Sequence, residues 1–112
     1  MQPFVDLQGG SGASYRFRLA PDGKVSPPIA GNYVYVRQEA EGFTVLAVEA
    51  TNDLSSAAAN WPLAVAKQGA THLFTRLNVS LTVREAEQRD IAAHYLKRPC
   101  RAGGQGDSAP PS

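Results

Sequence analysis

Apolar and polar residues alternate over 14–20, where Tyr15, Phe17 and Leu19 interleave with Arg16 and Arg18. A period of two marks a half-buried strand. Pro21-Asp22-Gly23 reads as a turn, and Pro27-Pro28 keeps the next stretch extended and non-helical. Tyr33, Val34, Tyr35 and Val36 are strong β-formers and predict a second strand. A short polar stretch ending at Gly42 leads to a third strand over 43–48 (FTVLAV), close enough to the second for a hairpin. The pattern then changes. Asn52 or Asp53 can cap a helix over the Ala-rich residues 54–59. Pro62 suits the first turn of another helix over 63–68, and Gly69 suits its C-terminal stop. Residues 71–77 (THLFTRL) predict a fourth strand. Thr82 and Glu85 match a capping box for a last helix from Val83 to about Leu96, with Pro99 preventing much extension. The order β-β-β-α-α-β-α predicts an α+β fold: a small, mainly antiparallel sheet of three to four strands packed with about three helices.

The flanks carry no such pattern. Residues 1–13 include the run QGGSGA and are expected to be a flexible segment. Residues 100–112, dominated by Gly, Ser and Pro, are expected to be a disordered tail. That leaves a single domain over 14–99 in a chain of 112 residues, with no internal repeat. Hydrophobic residues make up 43% and charged residues 19%, an ordinary globular balance. No apolar run is long enough for a bilayer and the first residues lack a signal-peptide core, so no membrane partner and a cytoplasmic location are expected. Cys100 is the only cysteine, which excludes an internal disulfide framework and a cysteine-based zinc cluster. The net charge of +1 gives no global reason to expect nucleic acid. Oligomeric state is left open.

Candidate chemistry starts with Glu87. Val83, Glu87, Ile91 and Tyr95 recur at i,i+4 on one helix face, and a carboxylate in that row is costly unless it is paired or bound to a cation. It is either a metal-binding or acid/base group, or a marginal residue on a face turned so that Ala86, Asp90 and Ala93 sit nearer the core. Tyr33 and Tyr35 share one side of their strand with Arg37, as a proton relay or as core phenols with wet hydroxyls. His72 and His94 lie 22 residues apart, without metal-ligand spacing. Arg16, Arg18, Arg37 and Arg76 fall on strands, and Lys97, Arg98 and Arg101 close the last helix. Gathered on one rim they make a phosphate-binding strip; scattered, they make a solvated face, and the interspersed acids favour scatter.

Order and residues together resemble the GIY-YIG nuclease family. Gly31-Asn32-Tyr33 with Val34-Tyr35-Val36 is similar to the first motif strand, and Ala47-Val48-Glu49 stands where the second motif falls. Ala50-Thr51-Asn52-Asp53-Leu54 is similar to the segment that follows it. Residues 69–77 resemble the third family strand, REAEQRDI over 84–91 the last helix, and Lys97-Arg98-Pro99 its exit. The resemblance covers about 29–99. It implies metal-dependent DNA cleavage in which Tyr33 activates water or holds the phosphate. Glu87 would hold one Mg²⁺ or Mn²⁺ as a Lewis acid. In a descendant that binds nucleic acid without cutting it, the strand arginines Arg16, Arg18, Arg37 and Arg76 would contact DNA as the partner. The chain also departs from the family. Ala47 replaces the second-motif tyrosine, Glu49 its glycine, and Ala57 the transition-state arginine. Loss of a preorganised cation costs on the order of a thousandfold in rate. The expectation is therefore a nuclease-like domain with weak or lost catalysis, or a non-catalytic interaction or structural module on the same fold.

Overall fold

The computed structural model describes residues 2–21 and 28–96. They form β1 (Phe4–Gln8), β2 (Ser14–Ala20), β3 (Gly31–Glu39), β4 (Gly42–Thr51), α1 (Ser55–Gln68), β5 (His72–Leu77) and α2 (Leu81–Tyr95). The strands make one sheet in the order β1-β2-β5-β3-β4, with every pairing antiparallel. The α+β class and the antiparallel sheet are as expected. The counts are not: the sheet has five strands and the described residues hold two helices.

The fifth strand comes from the segment expected to be flexible. Val5 and Leu7 flank Asp6, and this short alternation pairs with β2 as an edge strand that seats Leu7 in the core. The glycine run after it is a turn, closed by Gly9 N–H to Ala13 O at 2.8 Å and Gly12 N–H to Gly9 O at 3.0 Å. Gly9 passes so close to α2 that a Cβ there would run into the Asp90 carboxylate.

The two helices expected on either side of Pro62 are one. Pro62 lies inside α1 and removes an i→i−4 bond, a defect of about 3 kcal/mol or more in a helix interior. The helix nevertheless continues, since Ala57, Trp61 and Ala64 pack it onto the sheet. Neither candidate stands at the cap position, which is Leu54 with no side-chain cap hydrogen bond; Asp53, one residue earlier, accepts from Ser55 N–H at 2.9 Å through its Oδ1. Gly69 ends α1 at φ 72°, in the left-handed region that favours glycine. At α2 the capping residue is Ser80 rather than Thr82, with its Oγ accepting from Val83 N–H, so the helix starts two residues before the expected Val83. Lys97, Arg98, Pro99, Cys100, Arg101 and the expected tail lie outside the described residues, as does Asp22-Gly23 of the expected turn.

The sheet lies between the helices. Phe17, Val34, Val36 and Phe74 point toward α2 and meet Ile91; Tyr33, Tyr35 and Leu73 point toward α1 and meet Ala57 and Ala64. A bulge helps make β4 two-faced. Tyr35 pairs with Ala47 but Val36 with Val45, leaving Leu46 as the extra residue. The slip puts both Val45 and Val48 on the α2 side, while Leu46 and Ala47 pack on the α1 side. Among the described residues no helix is long and apolar enough to cross a membrane.

Asp90 fastens the N-terminal hairpin to α2. Its carboxylate accepts from Ser11 N–H at 2.9 Å, Ser11 Oγ at 2.7 Å and the Tyr15 hydroxyl at 2.7 Å. These donors, Ser11 Oγ first, hold the carboxyl below the ordinary aspartate range. A depressed folded value adds stability that is full above the unfolded value of about 4 and is lost as pH falls through the folded one. Asp90→Asn is therefore expected to be less stable than the parent at neutral pH and to flatten the acid side of its stability profile. Urea melts between about pH 2 and 6 check this, and parallel profiles for the two proteins would count against it.

Candidate functional site

Consecutive strand residues point to opposite faces, and this separates the two residues expected to act together. Asn32 faces α2 and Tyr33 faces α1. Glu87 lies on Asn32's side, so the sheet stands between Tyr33 and Glu87.

On the α2 side, Glu87 is held from the sheet. Its Oε1 accepts from Arg76 Nε at 2.9 Å and from Asn78 Nδ2 at 2.9 Å, and its side chain is only 16% exposed. Asn78 also donates to Asn32 Oδ1 at 3.1 Å. Asn32, fully buried, donates to Arg84 O at 2.8 Å and to Glu49 O at 3.3 Å. Arg76 continues the network outward, with its guanidinium 5.6 Å from the centre of the Tyr15 ring and one N–H to Arg16 O. The helix face also differs from the expected one. Arg84 and Ile91 are the buried residues of α2, Gln88 reaches Val48 O at 3.1 Å, and Tyr95 Oη accepts from Gln8 N–H at 3.0 Å. Val83 is 44% exposed, and Ala86 and Ala93 are exposed as well, so neither drawing of that face matches; Glu87 sits at its margin.

The residues at Glu87 do not suit a divalent ion. Oε1 already receives two N–H donors, one of them a guanidinium whose charge opposes a second cation on the same carboxylate. Among the described residues there is no group of three His, Cys, Asp or Glu side chains arranged to hold a metal.

On the α1 side, β3 and β4 place Tyr33 directly opposite Glu49 and Tyr35 opposite Ala47. These four line an open cavity of about 250 Å³ together with Asn60, Leu63, Ala64, Lys67 and Gln68 of α1. The Tyr33 and Tyr35 rings meet edge to face at 5.3 Å, and Tyr35 packs on Trp61 at 5.9 Å. The Tyr35 hydroxyl donates to Ala57 O at 2.8 Å. Burial first, and the Glu49 charge with it, raises both phenols above their ordinary range, while Asn60 and Ser56 act the other way on Tyr33. Two neutral phenols at physiological pH are poor bases. Desolvation by its neighbours also raises the Glu49 carboxyl, although the residue itself stays exposed.

The four strand arginines do not form a strip. Arg16 pairs with Asp6 at 2.9 Å, Arg37 with Glu39 at 3.0 Å and Arg76 with Glu87. Arg18 shares the α1-side row with Thr75 and Tyr33, whereas Arg76 lies on the opposite face. Arg37 sits at the far end of β3, where it reaches Gln68 O.

In the sequence Glu49 stands out only as the residue in place of the second-motif glycine, and no motif marks Asn60, Arg84 or the Asn32–Asn78 pair. Asn32 had one legible signal, its place in phase with Val34 and Val36 on a strand face that is otherwise apolar. Comparison with known proteins finds no matching family model, no matching curated protein and no matching solved structure.

Proposed function

We propose that this chain is a GIY-YIG-like domain that no longer cleaves phosphodiesters and serves as a binding module through the cavity between α1 and the β3–β4 hairpin. The element order supports the relationship: a hairpin, a helix, a strand returning beside the first hairpin strand, and a last helix bearing a glutamate. One observation carries the loss of cleavage. Tyr33 and Glu87, which would have to meet at one phosphate, are on opposite faces of the sheet, and Glu87 is neutralised by Arg76. Ala57, standing where the transition-state arginine is expected, is buried against the sheet and brings no charge. Three of the four strand arginines are engaged with carboxylates, which weakens the case for DNA as the partner.

The test is plasmid nicking with Mg²⁺ or Mn²⁺, alongside DNA binding by fluorescence anisotropy at several salt concentrations. The expected result is no metal-dependent nicking and no steep salt-dependent affinity. Nicking that disappears in Glu87→Gln would overturn the loss of cleavage. Affinity that falls steeply with salt and weakens in Arg18→Ala would return DNA as the partner.

A further inference from the structure

Glu49 is unpaired in the cavity it lines. Among the described residues its carboxylate enters no ion pair and receives no side-chain hydrogen bond, while the Arg16, Arg37 and Arg76 pairs are all with other acids. Lys67 lines the same cavity but does not pair with it. Asn60 and Lys67 are two helical turns apart, about 10 Å along the axis. Tyr33, Glu49 and Asn60 thus mark one end, and Tyr35, Ala47 and Lys67 the other. The end holding Glu49 is electronegative, and its charge acts on both phenols. The walls are aromatic and aliphatic: two tyrosine rings, Ala47 and Leu63. At about 250 Å³ the space is smaller than a drug-sized site and matches one side-chain-sized group.

Resting on the binding-module reading above, we propose that this cavity takes an organic cation: the alkylammonium or guanidinium end of a small amine or of a Lys or Arg side chain. Glu49 is the counter-ion, Tyr33 and Tyr35 are the walls for the alkyl stem, and the Asn60 carboxamide accepts an N–H. A carboxylate at the mouth of a cavity with aromatic walls favours such a group over a hydrated metal ion, which keeps its waters.

The experiment is an amide-resolved NMR titration of the full chain with n-butylammonium, with n-butanol as the neutral isostere, and with a short Lys-containing peptide beside its acetyl-lysine form. Butylammonium is expected to give saturable shifts at Glu49, Asn60 and their neighbours, and butanol none. Glu49→Gln is expected to weaken the response about tenfold or more. This substitution is conservative at an exposed edge-strand position, and its own amide spectrum reports whether the fold is kept. Tighter binding of the Lys peptide than of butylammonium identifies a protein partner, whereas equal binding identifies a free amine; either supports the proposal. No saturable shift with any cation, equal shifts with butanol, or an unchanged response in Glu49→Gln would overturn it. A chain that neither nicks DNA nor binds the amine loses this inference alone, while one that nicks DNA loses the reading beneath it.

Discussion

Asn32→Asp is expected to lower stability by about 3–5 kcal/mol at neutral pH and by much less in acid. The cost follows from where the side chain sits. Asn32 is fully buried, its amide nitrogen donates to two carbonyls, Arg84 O and Glu49 O, and its Oδ1 accepts from Asn78. An aspartate keeps the acceptor but replaces the donor with a second oxygen aimed at carbonyl oxygens. Burial and those lone pairs both disfavour the charged form, so the folded-state value rises above the unfolded value of about 4. The sign is then definite. The charge penalty is absent below the unfolded value, where the carboxyl is protonated in both states and can donate one hydrogen bond. It grows as pH rises toward the folded value and is complete above it. Urea melts of both proteins across about pH 4 to 8 check this: the difference between them should widen as pH rises. A difference independent of pH would mean that Asn32 is not held as described. Against a whole-domain stability of roughly 5–15 kcal/mol, the neutral-pH loss is large enough to leave a marginal fold.

How much of this was legible in the sequence depends on how local each cause is. The Tyr15–Leu19 alternation, the hairpin of β3 and β4 and the stop at Gly69 are set within a few residues, and they appear as expected. β1 is different: five residues with a brief alternation, stable only because β2 offers a partner and Leu7 a place in the core. Pro62 suits a helix start, since its first-turn preference is local; the packing that carries α1 through it is tertiary. The candidate site was least legible. Helical spacing singles out Glu87, but spacing cannot reveal that Arg76 and Asn78 reach it from the sheet side. Strand parity does place Tyr33 and Asn32 on opposite faces. Which face α2 covers, though, is decided by the packing of Ile91 and Tyr95, not by any motif.

Phe74→Ala should be the most damaging truncation in the core, at about 3–5 kcal/mol. Phe74 is fully buried on the central strand and pairs with Leu19 on one side and Val34 on the other. It therefore sits where the β1–β2 hairpin and the β3–β4 hairpin are joined through β5. Its ring also lies near that of His72, with the centroids 6.4 Å apart. Removing it opens a void at that junction, and surrounding strands tied by backbone hydrogen bonds can close it only in part. Phe74→Leu keeps most of the volume and should cost well under half as much. Because Phe74 faces α2 and the Glu49 cavity faces α1, the leucine variant separates stability from binding. It should unfold at lower urea concentration than the parent yet keep the parent's response to butylammonium. Urea midpoints and the amine titration on the same sample measure both. A Phe74→Ala loss below about 1 kcal/mol would remove the α2-side cluster as the dominant core. A leucine variant that folds but no longer responds to the amine would show that the two faces are coupled through β5 and do not act independently.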